Sequence, residues 1–441
     1  MKRNRPWSAA LGALPEPLLL MAILTGGLVT LRGFLAHGYL PQPFIWDPQD
    51  TFMDWFNPAW WAHHEGAYSV WRAVYPPLSF ALLKYLSIDR CYVTSPFAAR
   101  DCDYVSIAAI LISYAVAIGL TWLSLRRVQP SRAGVRTVAI AFGYPGLFTL
   151  ERGNLLILCY IALVVAFGSI AKGRLPRALA AGMMINFKPY MVVPTMALAI
   201  TRNWRMLEFA CLATIATYLM SWAIVGGGSV LEIASNTANW VVMTGMDPLV
   251  EVYYSTSFNN LFGLVDRGLP ILRFVPSRGY DNFLLVATLS MRIAIGLGLA
   301  ALAAAWLQPR AVPETRLVLI LLLISLISRS PGGYTELFVV YLVFLEPWHR
   351  AGPIIAIAAA YLINIPADIV LSYLPNVKTW SWLTQHAVTG QFGIAVGQFA
   401  RPFGLMLILA VLALDTIWQS VQAHRSHAPT LGLAHPVQVA T

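Results

Sequence analysis

Long apolar runs separated by short polar segments make up most of the chain. A run of about 20 apolar residues is long enough to cross a bilayer as a helix. The runs of that length are 16–36, 104–125, 206–226, 283–307, 352–373 and 400–421. No period of about 20–50 residues repeats along them, so a repeat architecture is not indicated. The pattern predicts an all-α polytopic membrane protein.

Other apolar runs are broken by polar residues before they reach spanning length. They are 137–150, 154–171, 178–187, 189–200 and the two halves of 314–348. A single crossing over 178–200 would separate Arg202 from the basic residues before 178, whereas a turn at Lys188-Pro189 keeps both on one side. Helices also tend to end before a proline. We therefore predict a hairpin of half-spans there and another at 329–333, giving about twelve transmembrane or half-transmembrane helices.

The breaks at 151–154, 188–189 and 329–333 put polar backbone at membrane depth. Such backbone is tolerated only where it is buried in protein or lines a water-filled cavity. Because all three breaks are expected on the same side, they predict one shared cavity.

Charge sets the orientation of these segments. Hydrophobic residues make up 58% of the chain and charged residues 11%, with a mean hydropathy of +0.64 and a net charge of +10. The arginines and lysines cluster in short loops, and such loops stay in the cytoplasm. The positive charge therefore needs no nucleic-acid partner, and membrane lipids are the expected surroundings. We predict a multi-pass inner-membrane protein with both termini cytoplasmic and its polar breaks on the periplasmic or extracellular side.

The polar ends and loops complete the predicted organisation. The first apolar run could be a signal peptide, but no small-residue cleavage site follows it, so a retained span is expected. Residues 1–422 are predicted to form one membrane domain, with a polar, disordered cytoplasmic tail at 423–441. Outer loops are predicted at 37–103 and 227–282, with an interfacial helix inside 76–87.

Four cysteines divide by location. Cys159 and Cys211 lie inside apolar runs and are read as core residues, whereas Cys91 and Cys102 lie in the polar loop 37–103. Their spacing allows a disulfide worth roughly 2–3 kcal/mol by loop closure. Such a bond requires an oxidising compartment, which the predicted outer location supplies.

An acidic cluster in the first outer loop is the leading candidate for chemistry. Asp47, Asp50 and Asp54 lie among aromatic residues. If Asp50 caps a helix, Asp54 lies one turn along on the same face. Two such carboxylates can serve as a general base and its partner, or hold a divalent cation. The plainer interpretation is a solvated helix start. His63 and His64 diverge on a helix, so a metal site there is not expected.

Lone polar groups at the breaks are the next candidates. Lys188 stands between two apolar half-spans, where a cation must pair with a carboxylate or meet an anion such as phosphate. Arg329 could bind phosphate or extend to the interface, and Glu151 and Arg152 could form a buried pair or contact substrate. The amides expected to grip sugar hydroxyls in a cavity are Asn154, Asn186 and Asn259.

Together these residues resemble the GT-C superfamily of membrane glycosyltransferases, and most closely glycosyltransferase family 87, of the polyprenyl-phosphate-mannose-dependent α-mannosyltransferase type. The resemblance spans about 50–350. The matching segments are Asp54-Trp55-Phe56, Gly66-Ala67-Tyr68, Tyr75-Pro76-Pro77-Leu78, Arg152-Gly153-Asn154, Lys188-Pro189, Ser257-Phe258-Asn259-Asn260-Leu261 and Ser330-Pro331 with Tyr334 and Glu336. The turn glutamine of the family is missing, and Glu336 stands where a histidine is expected.

The resemblance implies a GT-C-like helical bundle that transfers a sugar, mannose by analogy, from a polyprenyl-phosphate donor to a glycan or glycolipid hydroxyl. Asp54 would be the base, with Asp50 and Glu336 as the other catalytic candidates. Lys188, Arg329 and Arg152 would bind the donor phosphate, and Tyr75, Glu151 and Tyr334 would join the asparagines in contacting substrate. No cofactor or metal is required, since phosphate is a good leaving group. A transporter, flippase or polymerase of lipid-linked glycan is the alternative.

Overall fold

The computed structural model describes residues 16–44, 47–244, 276–328, 332–373, 376–391 and 393–427. The helices of these residues are α1 (Glu16–His37), α2 (Met53–His63), α3 (Pro77–Tyr85), α4 (Pro96–Cys102), α5 (Tyr104–Val128), α6 (Ala133–Phe142), α7 (Tyr144–Arg152), α8 (Leu156–Phe167), α9 (Arg174–Phe187), α10 (Val192–Thr195), α11 (Ala197–Ile200), α12 (Trp204–Val225), α13 (Val230–Thr244), α14 (Ser277–Leu307), α15 (Glu314–Ile327), α16 (Glu336–Phe344), α17 (Ala351–Ile363) and α18 (Gly397–His427). Short 3₁₀ turns lie at Asp89–Cys91, Pro189–Met191 and Gly333–Thr335. The strands are β1 (Val370–Tyr373), β2 (Val377–Ser381), β3 (His386–Gly390) and β4 (Gly393–Ala395).

Five of the described helices, α1, α5, α12, α14 and α18, are long and apolar enough to cross a membrane. Large apolar side chains on their outward faces, such as Leu28, Ile112, Met220 and Ile293, are more than half exposed. Contiguous exposed apolar surface of this kind fits lipid rather than water. The chain is therefore a membrane protein. Shorter apolar helices accompany the five, and they do not establish the predicted total of about twelve.

The prediction of an all-α protein is wrong for residues 370–395, which form two antiparallel two-stranded sheets. β1 pairs with β4, and β2 pairs with β3 so that Val377 lies opposite Gly390. The predicted span 352–373 instead ends as α17 at Ile363, since Ile365 precedes Pro366 and a residue before proline disfavours helix. Apolar residues follow the proline, so hydropathy alone did not separate the strand from the helix.

The predicted run 137–150 is also divided, into α6 and α7. Gly143 lies between them, and a Cβ at this position would lie 2.1 Å from Oδ1 of Asn364. Asn364 fills this space, donating from Nδ2 to the carbonyl of Ala139 at 2.6 Å and accepting from the Tyr144 amide at 2.8 Å through its own carbonyl. Glycine and the following Pro145 thus allow a second chain segment to enter the break.

The turn at Lys188-Pro189 is present as predicted. α9 ends at Phe187, and the 3₁₀ turn Pro189–Met191 leads into α10 and α11. At the far ends, Arg177 pairs with Glu314 at 2.7 Å and Arg202 donates to the carbonyl of Trp306 at 3.2 Å. Both basic segments therefore return to neighbouring positions, as a hairpin of half-spans requires.

The second hairpin is formed by α15 and α16, which are apolar on all sides and almost wholly buried. A helix that is hydrophobic all round belongs inside a protein. The start of α15 and the end of α16 lie side by side, because Arg316 donates to Glu346 at 2.8 Å. The predicted turn at 329–333 lies only partly within the described residues. Arg329, Asn259, most of the loop 227–282 and the tail beyond 427 lie outside them.

One end of the bundle holds a network of buried ion pairs. Glu16 accepts from Arg136 at 2.8 Å and from Arg132, and Arg316 bridges Glu346 to Asp415, which lies 2.7 Å away. Paired charges of this kind avoid the cost of an isolated buried ion. We call this end the basic end.

The predicted outer loop 37–103 and the β2–β3 hairpin lie at the other end. The side chain of Ser381 donates to the carbonyl of Gly38, which directly follows α1, so the β2–β3 hairpin covers the end of α1 opposite Glu16. In the loop 37–103, a disulfide joins Cys91 to Cys102, with their Cα atoms 5.6 Å apart. α3 corresponds to the predicted interfacial helix.

Candidate active site

Asp54 lies in the first turn of α2, whose aromatic side chains face inward. Trp55 and Phe56 are fully buried, whereas the side chain of Asp54 is 21% exposed. α2 starts after Phe52, which has a left-handed conformation (φ 65°) and caps the helix without a side-chain hydrogen bond. The expectation that Asp50 caps this helix is therefore wrong, because its carboxylate is engaged elsewhere.

The break at 151–154 packs directly on the start of α2. The Phe52 amide donates to the carbonyl of Glu151 at 2.8 Å. Gly153 ends α7 with a φ of 60°, and a Cβ there would lie 3.2 Å from Cα of Phe52. Glycine thus provides both the left-handed turn and the close approach. The two segments are held together although they are distant in the chain.

Arg152 joins the two carboxylates. Its Nη1 lies 3.1 Å from Oδ2 of Asp50, and its Nη2 lies 2.7 Å from Oδ1 of Asp54. Asn154 donates to the other oxygen of Asp54 at 2.7 Å. The guanidinium predicted to bind donor phosphate thus contacts two carboxylates. The structure brings Asp50, Asp54, Arg152 and Asn154 into one group.

The pKa values of the two acids are shifted in opposite directions. Burial by itself raises the pKa of Asp54, but the charge and hydrogen bond of Arg152, with the hydrogen bond from Asn154, outweigh it and hold the pKa below its usual value. Burial also raises the pKa of Asp50, and Arg152 offsets only part of that effect. Asp54 is therefore ionised at neutral pH and able to accept a proton.

Lys188 supplies a positive charge beside this group. Its Nζ lies 4.6 Å from the centre of the Tyr75 ring, a cation–π contact. Within the described parts of the chain, no carboxylate forms an ion pair with Lys188, and Asp54 is the acid that acts on it through space. The ammonium remains available to an anionic ligand.

Two tyrosines line the same region. Burial raises the pKa of Tyr75, and the neighbouring Asp54 and Tyr334 raise it further. Tyr334 also packs on Phe148, with ring centres 5.8 Å apart. Tyr190 lies close to both tyrosines and was missed by the sequence analysis, although it directly follows Lys188-Pro189. The 3₁₀ turn Gly333–Thr335 thus contributes to the site.

A family model for glycosyltransferase family 87 matches residues 73–329, which is more than half of the chain. The chain belongs to glycosyltransferase family 87. No curated protein matches it, and no solved structure does. The matched region includes Arg152 and Lys188, begins after Asp54 and ends before Glu336. Family membership makes the chain a glycosyltransferase, as the resemblance predicted, and removes the support for a transporter or flippase.

Two carboxyls of this family 87 enzyme are buried, and one of them, Glu336, has no hydrogen-bond partner among the described residues. Glu151 faces the start of α2, and Glu336 begins α16 and is 0% exposed. The charged group that acts on Glu336 is Arg401, which itself pairs with Asp368 at 3.1 Å and lies over the ring of Tyr144. Glu336 therefore belongs to a second cluster, which Tyr334 connects to the Asp54 group through Phe148 and Tyr144.

Asn186 lies away from these groups. Its Nδ2 donates to the carbonyls of Gly182 and Thr214, at 2.9 and 3.0 Å, and so links α9 to α12. An amide engaged in helix packing is poorly placed to bind a sugar. Sequence reasoning treated Asn186 and Asn154 alike, because neither periodicity nor spacing distinguishes a packing amide from a cavity amide.

The adjacent histidines diverge, as predicted for a helix end. His63 bonds with the hydroxyl of Ser87 at 2.7 Å and stacks on Tyr92, while His64 stacks on Trp60. In the described residues no group of three metal-binding side chains gathers. His64 instead lines a cavity of about 380 Å³, whose walls include Glu65, Tyr68, Lys84 and Glu232.

Proposed function

We propose that this family 87 enzyme transfers a sugar, mannose by resemblance, from a polyprenyl-phosphate donor to a hydroxyl of a glycan or glycolipid. The observation that carries the proposal is the grouping of an ionised Asp54, fixed by Arg152 and Asn154, with the ammonium of Lys188, which makes no ion pair with any carboxylate that the structure describes. A base for the acceptor and a cation for the leaving phosphate are the two groups that such a reaction needs.

In the proposed reaction, the acceptor oxygen attacks C1 of the sugar while the bond between C1 and the phosphate oxygen breaks. The hydroxyl proton passes to Asp54, and the bonding electrons leave with the lipid phosphate, whose negative charge Lys188 binds in the ground and transition states alike. Each oxygen of Asp54 already accepts one hydrogen bond, and each retains a lone pair for the acceptor. Direct displacement inverts the anomeric centre. None of these steps requires a cofactor.

The reaction is proposed to take place at the outer face of the cytoplasmic membrane. Support comes from the separation of charge, since the arginine-rich loops gather at the basic end and the Asp54 group lies near the opposite end. Short loops rich in arginine and lysine stay in the cytoplasm. The 380 Å³ cavity has the size and mixed polar and aromatic lining of a ligand pocket, so it is a candidate route for the acceptor.

The test is transfer of labelled sugar from a polyprenyl-phosphate donor by purified protein in detergent. Asp54→Asn removes the base and keeps the size and shape of the side chain, with an amide nitrogen in place of one of the two accepting oxygens, and we expect kcat to fall by roughly 10²–10⁴-fold. Asp89→Asn, at a carboxylate that is 83% exposed in the same loop, is the matched control and should retain activity. A monodisperse Asp54→Asn protein with near-normal transfer would refute the assignment of the base.

A further inference from the structure

The segment that carries Asp50 and leads into α2 is irregular and needs support from outside. Phe52 is left-handed, and α2 has no side-chain cap. Asp47 provides one local support by accepting from the Gln49 amide at 2.9 Å, and Thr379 of β2 also donates to this carboxylate, at 3.1 Å. The backbone carbonyls of Gln49 and Thr51 must find donors elsewhere.

Arg100 supplies those donors. Its Nη1 donates to the carbonyl of Thr51 at 2.9 Å and also to the carbonyl of Gln49. The side chain is only 4% exposed, and its guanidinium lies 4.8 Å from the ring of Trp382 and 5.4 Å from the ring of Phe97. A buried cation that donates to two carbonyls and contacts two rings is held in one position.

Arg100 is itself held by two distant parts of the chain. It lies on α4, which the disulfide at Cys102 ties to Cys91. Trp382, which follows β2, donates from Nε1 to Asp101 at 2.8 Å and from its amide to the carbonyl of Pro48 at 3.2 Å. The Trp382 ring also meets Phe52 edge-on at 5.4 Å. The disulfide-linked segment that carries Arg100 and the β2–β3 hairpin with the following Trp382 thus both contact the same six-residue segment, 47–52.

Arg152 contacts the same segment through the side chain of Asp50. Arg100 holds the backbone, while Arg152 holds the side chains of Asp50 and Asp54. We propose that Arg100 is a positioning residue for sugar transfer: by fixing the backbone at 49–51, it keeps both carboxylates on the guanidinium of Arg152 and Asp54 in place to receive the acceptor's proton. The inference rests on the proposed function of Asp54 as base.

The expected effect follows from the groups around Asp54, which among the described residues are Asp50, Tyr75, Glu151, Arg152 and Lys188. Loosening the segment weakens the contact with Arg152, the main group that lowers the pKa of Asp54. The pKa of Asp54 then rises. Since the base must be ionised, the acid limb of the kcat profile moves to higher pH.

The experiment compares kcat and KM across pH for the purified wild type, Arg100→Ala and Arg100→Lys. We expect Arg100→Ala to lower kcat by about 10–100-fold at neutral pH, to change the donor KM little, and to shift the acid limb upward. Arg100→Lys keeps the charge but loses the planar fork, so it should show the same shift to a smaller degree. Arg90→Ala, at an exposed arginine of the same loop, is the control and should match the wild type.

A role in folding alone would lower the yield or the melting temperature and leave the pH profile of the folded enzyme unchanged. A monodisperse Arg100→Ala protein with wild-type kcat and pH profile therefore overturns the inference. If Arg100→Ala aggregates, the kcat and the pH profile of Arg100→Lys test the inference in its place. Asp54→Asn is measured in parallel: if it is active, the proposed base is wrong, whereas an inactive Asp54→Asn beside an unaffected Arg100→Lys refutes only the role of Arg100.

Discussion

At the scale of single residues, the site depends on one guanidinium shared by two carboxylates. Asp50 and Asp54 lie 102 and 98 residues before Arg152, yet all three are in contact. Each of them stands out in the sequence, because charged residues beside apolar runs are unusual. The family resemblance implied that Arg152 binds phosphate, since residue type and spacing do not show which distant partner a charge meets. Lys188 differs, since its position between half-spans required either a carboxylate partner or an anionic ligand, and no carboxylate among the described residues pairs with it.

Lys188 is predicted to bind the donor phosphate before the reaction begins as well as in the transition state. Its contact with Tyr75 holds the ammonium in place before substrate arrives, so we expect it to bind the donor phosphate in the ground and transition states alike. Lys188→Ala should then raise the donor KM by roughly 10–100-fold, the equivalent of one lost charge-assisted hydrogen bond, and leave kcat nearly unchanged. Lys172→Ala, at an exposed lysine outside the site and the cavity, is the control. An unchanged donor KM would exclude Lys188 from donor binding.

At the scale of elements, sequence patterning located the long helices and the Lys188-Pro189 turn well, but it missed the strands. α1 and α5 follow from apolar length alone. The β2–β3 hairpin does not, since its role depends on contacts with residues such as Asp47 and Asp101 more than 270 positions earlier. Hydropathy records where the chain meets lipid and contains no information on what a polar loop covers.

The disulfide between Cys91 and Cys102 is predicted to stabilise α4 and, through Arg100, the segment before α2. Replacing both cysteines by serine should lower the free energy of unfolding by roughly 2–3 kcal/mol. It should also reduce kcat, because α4 carries Arg100. Cys211→Ser, at an exposed free cysteine, should change neither quantity. Mass spectrometry of protein prepared without reductant should find the pair oxidised, and two free thiols would contradict this prediction.

At the scale of the whole molecule, charge divides the bundle into two ends with different chemistry. Buried pairs such as Glu16 with Arg136 and Arg316 with Glu346 fix the helices at the basic end. The Asp54 group and both sheets lie toward the opposite end. Each of the two hairpins of half-spans begins and ends at the basic end. Lys188 and Tyr334 lie near their turns, away from that end. The fold therefore brings the breaks at 151–154 and 188–189 close to Tyr334, at the described end of the third break.

This division predicts the orientation of the protein in the membrane. In a background with Cys211→Ser, single cysteines at Arg174→Cys and Asn203→Cys should react with a membrane-impermeant maleimide only after the cells are permeabilised. Both positions flank the Lys188 hairpin at the basic end, which we place in the cytoplasm. Lys378→Cys, on the exposed β2, should react from outside in intact cells. Labelling of residue 174 or 203 from outside would show that the protein has the opposite orientation, with the arginine loops facing outward. The transfer reaction would then have to take place at the cytoplasmic face.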